Sequence, residues 1–100
     1  MAIPRNQSKR EEVMVLMGLQ KALFQFFLER IDTESFNTLP IQSEELEKHL
    51  KTTYAVVKNT IQKLEKKGLV FNLSKRGRGG FFKFHIEQDL YNFARRHFNQ

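Results

Sequence analysis

The stretch TYAVVKNTIQKLEKKGLV, residues 53–70, decides how the rest of the chain is read. Val57, Ile61 and Leu64 recur at i, i+4 and i+7, which is one face of a helix. Thr53 is a natural N-cap, because its hydroxyl can accept from a free backbone N–H in the first turn. Gly68 stops the helix, and Lys66 and Lys67 stand in the last turn, where the helix dipole favours cations. Tyr54, Lys58, Asn59 and Gln62 point away from the apolar stripe. This second face is polar, cationic and free of acids.

Upstream lies a second, shorter helix signal. SEELEKHL, residues 43–50, opens on Ser43 as an expected N-cap, with Glu44 and Glu45 in the first turn. Leu46 and Leu50 form its buried stripe. Residues 51–53 make a tight break before the helix that follows. Further upstream, EEVMVLMGLQKALFQFFLERI, residues 11–31, carries more apolar surface than one amphipathic helix needs. The spacing predicts a helix over 19–31, with residues 9–17 as its extension or a separate turn or two, and Gly18 as a break or a start. Residues 32–40 are rich in turn formers, with a short strand expected near Thr38–Ile41 ahead of α-helical SEEL. Residues 1–10 are polar and read as a flexible arm.

Downstream of Gly68 the period falls from helical to near two. LVFNLS is followed by KRGRGG and then FFKFHI, in which Phe82, Phe84 and Ile86 alternate with Lys83 and His85. Two strands joined by a glycine-rich turn make a β-hairpin. Phe82 and Phe84 are expected in the core, with Phe81 undecided. DLYNFARRHF, residues 89–98, reads as a C-terminal helix. Residues 11–100 therefore form one domain of α+β class, mainly helical. It has a three-helix core with a helix-turn-helix at 43–67, a two- or three-stranded hairpin at 69–86 and the closing helix.

Composition narrows the function. The chain has 100 residues, 40% of them hydrophobic, with ten Phe, which is enough for a small core. Its net charge is +6. From Lys51 to Lys83 nine cations face one acid, while the remainder has eight cations and ten acids. All the excess positive charge therefore sits in one third of the chain. That is the footprint of a polyanion binder, against the plainer reading of a basic face that aids solubility. There is no cysteine, no signal-peptide core and no apolar run of about 20 residues, which favours the cytoplasm.

Catalysis finds little support. His49, His85 and His97 lack metal-ligand spacing, so neither a metal nor a cofactor is expected. KRGRGG lacks the Lys-Ser/Thr of a phosphate-binding loop and opens a strand rather than a helix.

Two short helices, a tight break and a following hairpin are the layout of a winged helix-turn-helix. TYAVVKNTIQKLEKKGLV resembles the recognition helix of winged-helix regulators, with Leu64, Glu65, Lys67, Gly68 and Leu69 matching the common ending RLEKKGLI. SKRGRGGFFKFHI, residues 74–86, resembles the wing of winged-helix DNA-binding proteins carried by bacterial plasmids and integrative elements, in which a Gly-Arg-Gly-Gly turn leads into an aromatic-rich strand. The resemblance covers residues 38–86 well and 19–31 loosely. The sequence departs from it at Lys51, where many such turns carry glycine, and at Thr52, which replaces the usual aliphatic residue.

The resemblance implies sequence-specific binding of duplex DNA in the bacterial cytoplasm or nucleoid. Thr53, Tyr54, Lys58, Asn59, Gln62 and Lys63 would face the major groove, with Thr53 offering its hydroxyl to a phosphate. Asn and Gln suit adenine, and Lys suits guanine or phosphate. Lys75, Arg76, Gly77, Arg78 and Gly79 would grip the backbone or minor groove, the glycines letting a backbone N–H approach a phosphate. The surplus apolar surface of residues 11–31, together with the C-terminal helix, points to a homodimer reading a two-fold site. The role implied is transcriptional regulation or plasmid-type replication, transfer or maintenance. The alternative is a winged-helix module for RNA or protein interaction within a larger assembly.

Overall fold

The structure, a computed structural model, describes residues 5–74 and 81–99, without the side chains of residues 5–8. Nine elements follow in order: α1 (Arg5–Met14), α2 (Gly18–Glu29), β1 (Ile41–Gln42), α3 (Ser43–Leu50), α4 (Tyr54–Lys66), β2 (Phe71–Asn72), β3 (Phe81–Phe82), β4 (Phe84–His85) and α5 (Gln88–Phe98). None of the described helices is long and apolar enough to cross a membrane.

The chain start corrects one expectation. Residues from Arg5 onward are not an arm but the helix α1, which ends at Met14. The reason is packing at its far end, where Val13 is fully buried, and just beyond it, where Leu16 is nearly so. Lys9 pairs with Glu87 and sits 5.4 Å over the Phe71 ring, and Arg10 lies 5.2 Å over Phe93. These contacts dock α1 on the wing base and α5. Gly18, at φ +60, resolves the ambiguity of residues 9–17 by starting a separate helix. The predicted helix over 19–31 is thus observed as 18–29, and Ile31 instead bridges Thr38.

α2 is the spine of the core. Leu23, Phe24, Phe26, Phe27 and Leu28 are all buried, on more than one face, because the helix is covered by α3, α4, α5 and the wing. Phe27 stacks on Phe84 with centroids 4.4 Å apart, and Phe24 meets Phe98 edge to face at 6.3 Å. Most of the apolar surplus of residues 11–31 is therefore this chain's own core. What remains outside is the corner between α1 and α2, where Met14, Val15, Met17 and Leu19 are each exposed.

The loop after α2 holds Phe36 at φ 59, a strained value for a bulky residue. It is kept there by its backbone: its N–H donates to Asp32 at 2.7 Å, its carbonyl accepts from Ile86, and its ring meets Tyr91 edge to face. The strand expected near Thr38–Ile41 is displaced to Ile41–Gln42, because Pro40 has no N–H to place in a ladder. Thr38 still joins the sheet. Its N–H donates to the Phe84 carbonyl at 2.7 Å, and its buried hydroxyl accepts from the Phe84 N–H at 3.0 Å.

The return strand of the wing is shared. β3 pairs antiparallel with β1, Ile41 opposite Phe82, and β4 pairs antiparallel with β2, Asn72 opposite Phe84. Lys83 lies between, its carbonyl accepting from the Leu73 N–H at 2.7 Å and its N–H donating to Ser74 Oγ at 2.7 Å. Phe84 and Ile86 are fully buried, as alternation requires, whereas Phe82 is only half-buried. Phe81 is 51% exposed, which settles it as an outward residue.

Candidate nucleic-acid interface

The helix-turn-helix is built as α3, residues 51–53 and α4. α3 begins at Ser43 itself, so the expected N-cap is one residue late; Gln42 holds that place without a side-chain bond. It cannot start earlier, because Gln42 pairs with Phe81 in the sheet. Glu45 in the first turn pairs with Arg30 at the end of α2, which ties α3 to the spine. At the other end Lys51 adopts φ 54, ψ 50, the left-handed conformation that glycine would take most cheaply. The departure from glycine at this turn therefore changes its energy and leaves its shape intact.

Thr53 caps α4, its hydroxyl oxygen accepting from the Val56 N–H at 3.4 Å. The hydroxyl proton stays available to a phosphate. Val57, Ile61 and Leu64 are buried to 2% exposure or less, and Thr60 turns its hydroxyl back to the Val56 carbonyl at 2.7 Å. That fixes the opposite face outward. Tyr54, Lys58, Asn59, Gln62 and Lys63 are all exposed along it. Asn59 and Gln62 stand on its midline at i, i+3, with Lys63 on one flank and Lys58 on the other.

Lys58 and Tyr54 lie on the wing side. The Lys58 ammonium is 6.0 Å from the Tyr54 ring centroid, and that ring stacks on Phe82 at 6.4 Å. Tyr54 is thus partly committed to holding the helix start against the wing. Lys67 is spoken for elsewhere: it donates to Gln20 at 2.7 Å and lies 3.9 Å from Glu12. Burial raises the Glu65 carboxyl above its ordinary range. Lys75, Arg76, Gly77, Arg78 and Gly79 lie outside the described residues.

Ala55 and Val56 are not among the residues expected at the interface from sequence. Both are exposed on α4, Val56 to 36%, although Val57 beside them is fully buried. A helical count back from Asn59 finds Ala55 at i−4 on the same midline, and that signal was present in the sequence. Among the described residues no group of His, Asp and Glu side chains is placed to hold a metal ion.

No protein-family model matches the sequence, and no curated protein matches it. Solved structures do. MepR of Staphylococcus aureus, a transcription regulator of the multidrug efflux pump MepA, superposes with a TM-score of 0.61 at 11% identity, over 95% of this chain and 65% of that one. ZitR of Lactococcus lactis, a zinc-responsive MarR family member, has been solved in complex with DNA. That complex matches with a TM-score of 0.59 at 14% identity, over 84% of this chain and 51% of its own, so the chain spans about half of ZitR's length. A protein of the archaeon Sulfolobus tokodaii matches over 93% of this chain and 91% of its own, at 22% identity and a TM-score of 0.53. At these identities the likeness speaks to the backbone: the five helices and short antiparallel strand pairs of the described residues form a winged-helix fold like that of these solved structures.

Proposed function

We propose that this chain binds duplex DNA as a homodimer and regulates transcription. The observation that carries the reading is the outer face of α4. It holds Lys58, Asn59, Gln62 and Lys63, exposed and rigidly presented by the buried Val57–Ile61–Leu64 stripe, with the wing alongside. A helix so presented fits the major groove, amides pair with adenine, and ammonium groups reach guanine or phosphate. Lys75, Arg76 and Arg78 add cations to this reading as contacts to the DNA backbone, with Gly77 and Gly79 offering no side chain to obstruct them.

Transcriptional regulation is favoured over plasmid-type replication or transfer because MepR is a transcription regulator and both MepR and ZitR have been solved with DNA. Dimerisation rests on Met14, Val15, Met17 and Leu19, four exposed apolar side chains within six residues of a small domain.

The test is an electrophoretic titration against duplex DNA over a salt series. If about five phosphates are neutralised, log K falls against log[salt] with a slope of roughly −4 to −5. Absence of binding at low salt, or preference for structured RNA over duplex DNA in competition, overturns the reading.

A further inference from the structure

The outer face of α4 is polar and cationic apart from its first turn, where two neighbouring apolar side chains, Ala55 and Val56, face solvent. A single exposed apolar residue is ordinary. Two in succession, on the turn that a recognition helix presents to base edges, are not accounted for by the core, which takes Val57, Thr60 and Ile61 from the same helix.

Their placement is fixed from both sides. Thr53 accepts from the Val56 N–H, and the Thr60 hydroxyl donates to the Val56 carbonyl. The first turn is therefore held by side-chain bonds at the very residue in question, and a β-branched side chain there has little rotamer freedom. Ala55 lies one turn before Asn59 on the helix midline, and its small side chain lets the backbone approach the groove floor. Val56 lies to the flank shared with Lys63.

In the major groove the edges of guanine, cytosine and adenine are hydrogen-bonding groups, and apolar side chains leave these unpaired. The C5-methyl of thymine is the apolar group there. Resting on the DNA-binding reading above, we propose that Ala55 and Val56 form a hydrophobic reading site for thymine methyl groups. With Asn59 one turn later suited to adenine, the start of α4 selects A·T base pairs and disfavours G·C.

The experiment uses the full chain and a duplex recovered from a random pool. Binding is compared between that duplex and copies in which each thymine in turn is replaced by uracil, which removes only the methyl group. One or two positions are expected to weaken binding roughly fourfold each, the effect of losing one buried methyl. Val56→Ala should then bind the thymine and uracil duplexes alike at its position, with unchanged circular dichroism. Val56→Thr, which keeps a branched side chain with one methyl, should retain part of the discrimination. Equal binding of thymine and uracil duplexes by the unaltered chain overturns the methyl-reading site while leaving DNA binding in place. Recovery of no duplex at all overturns the underlying reading as well.

Discussion

The ring of Tyr54 stacks on the ring of Phe82, centroids 6.4 Å apart and planes 26° from parallel. The first residue of α4 thereby rests on the return strand of the wing, and Phe82 in turn stacks on Phe84 at 6.0 Å. Phe84 reaches the spine through Phe27. Four aromatic rings thus run from the start of the candidate reading helix into the core, so the angle between helix and wing is set by packing.

Phe82→Ala breaks that chain at its half-buried link. We expect a loss of about 2 kcal/mol in unfolding free energy, read from denaturant melts. DNA affinity should fall further than the unfolded fraction explains, because helix and wing lose their common register. Tyr54→Phe keeps the ring, so stability should hold. Any weakening of DNA binding in that variant then belongs to the hydroxyl.

Lys51 occupies the left-handed region at the turn between α3 and α4. A side chain with a Cβ raises the energy of that conformation, and glycine removes the penalty. Lys51→Gly should therefore stabilise the fold by about 1 kcal/mol, a rise in Tm of roughly 5 °C. A fall in Tm would mean that the Lys51 side chain makes a contact outweighing its backbone strain.

Burial raises the Glu65 carboxyl above its ordinary range. The sign follows from linkage: ionising this group costs more in the folded than in the unfolded chain. The advantage of its protonated form is present at low pH and is lost as pH rises through the raised folded value. Glu65→Gln should melt with the parent at acid pH and above it at neutral pH. Thermal melts across that range check the divergence.

Much of the fold was legible because its signals are local. The Val57–Ile61–Leu64 stripe, the Thr53 cap and the alternation of Phe82, Phe84 and Ile86 each follow from spacing within one element. What was missed depends on tertiary partners. α1 is anchored through Lys9 to Glu87, a contact spanning 78 positions that no local pattern reveals. Gln42 displaces Ser43 as the N-cap of α3, because a distant strand pairs with Gln42 and the helix begins at Ser43. The surplus apolar surface of residues 11–31 was visible in the sequence, but its division between core and exposed corner depends on how α3, α4, α5 and the wing cover α2. At the interface, the polar residues of α4 were readable from the helical wheel. Ala55 and Val56 stand out only once the neighbouring elements show which faces of α4 they leave uncovered.

The exposed corner of Met14, Val15, Met17 and Leu19 gives a direct test of dimerisation. Light scattering at micromolar concentration should return twice the chain mass. Val15→Glu with Met17→Glu should return the monomer mass with little change in circular dichroism, since both side chains are exposed. A monomer in the unaltered chain would contradict the homodimer.

The central claim is that the outer face of α4 reads duplex sequence, and selection from a random duplex pool tests it most directly. The unaltered chain should enrich one common site. An Asn59→Ala, Gln62→Ala variant should lose that preference, by about 1–3 kcal/mol at each base pair these residues read, while keeping salt-dependent affinity for DNA in general. If both chains enrich the same site, or the unaltered chain enriches none, α4 does not read sequence and the account is wrong.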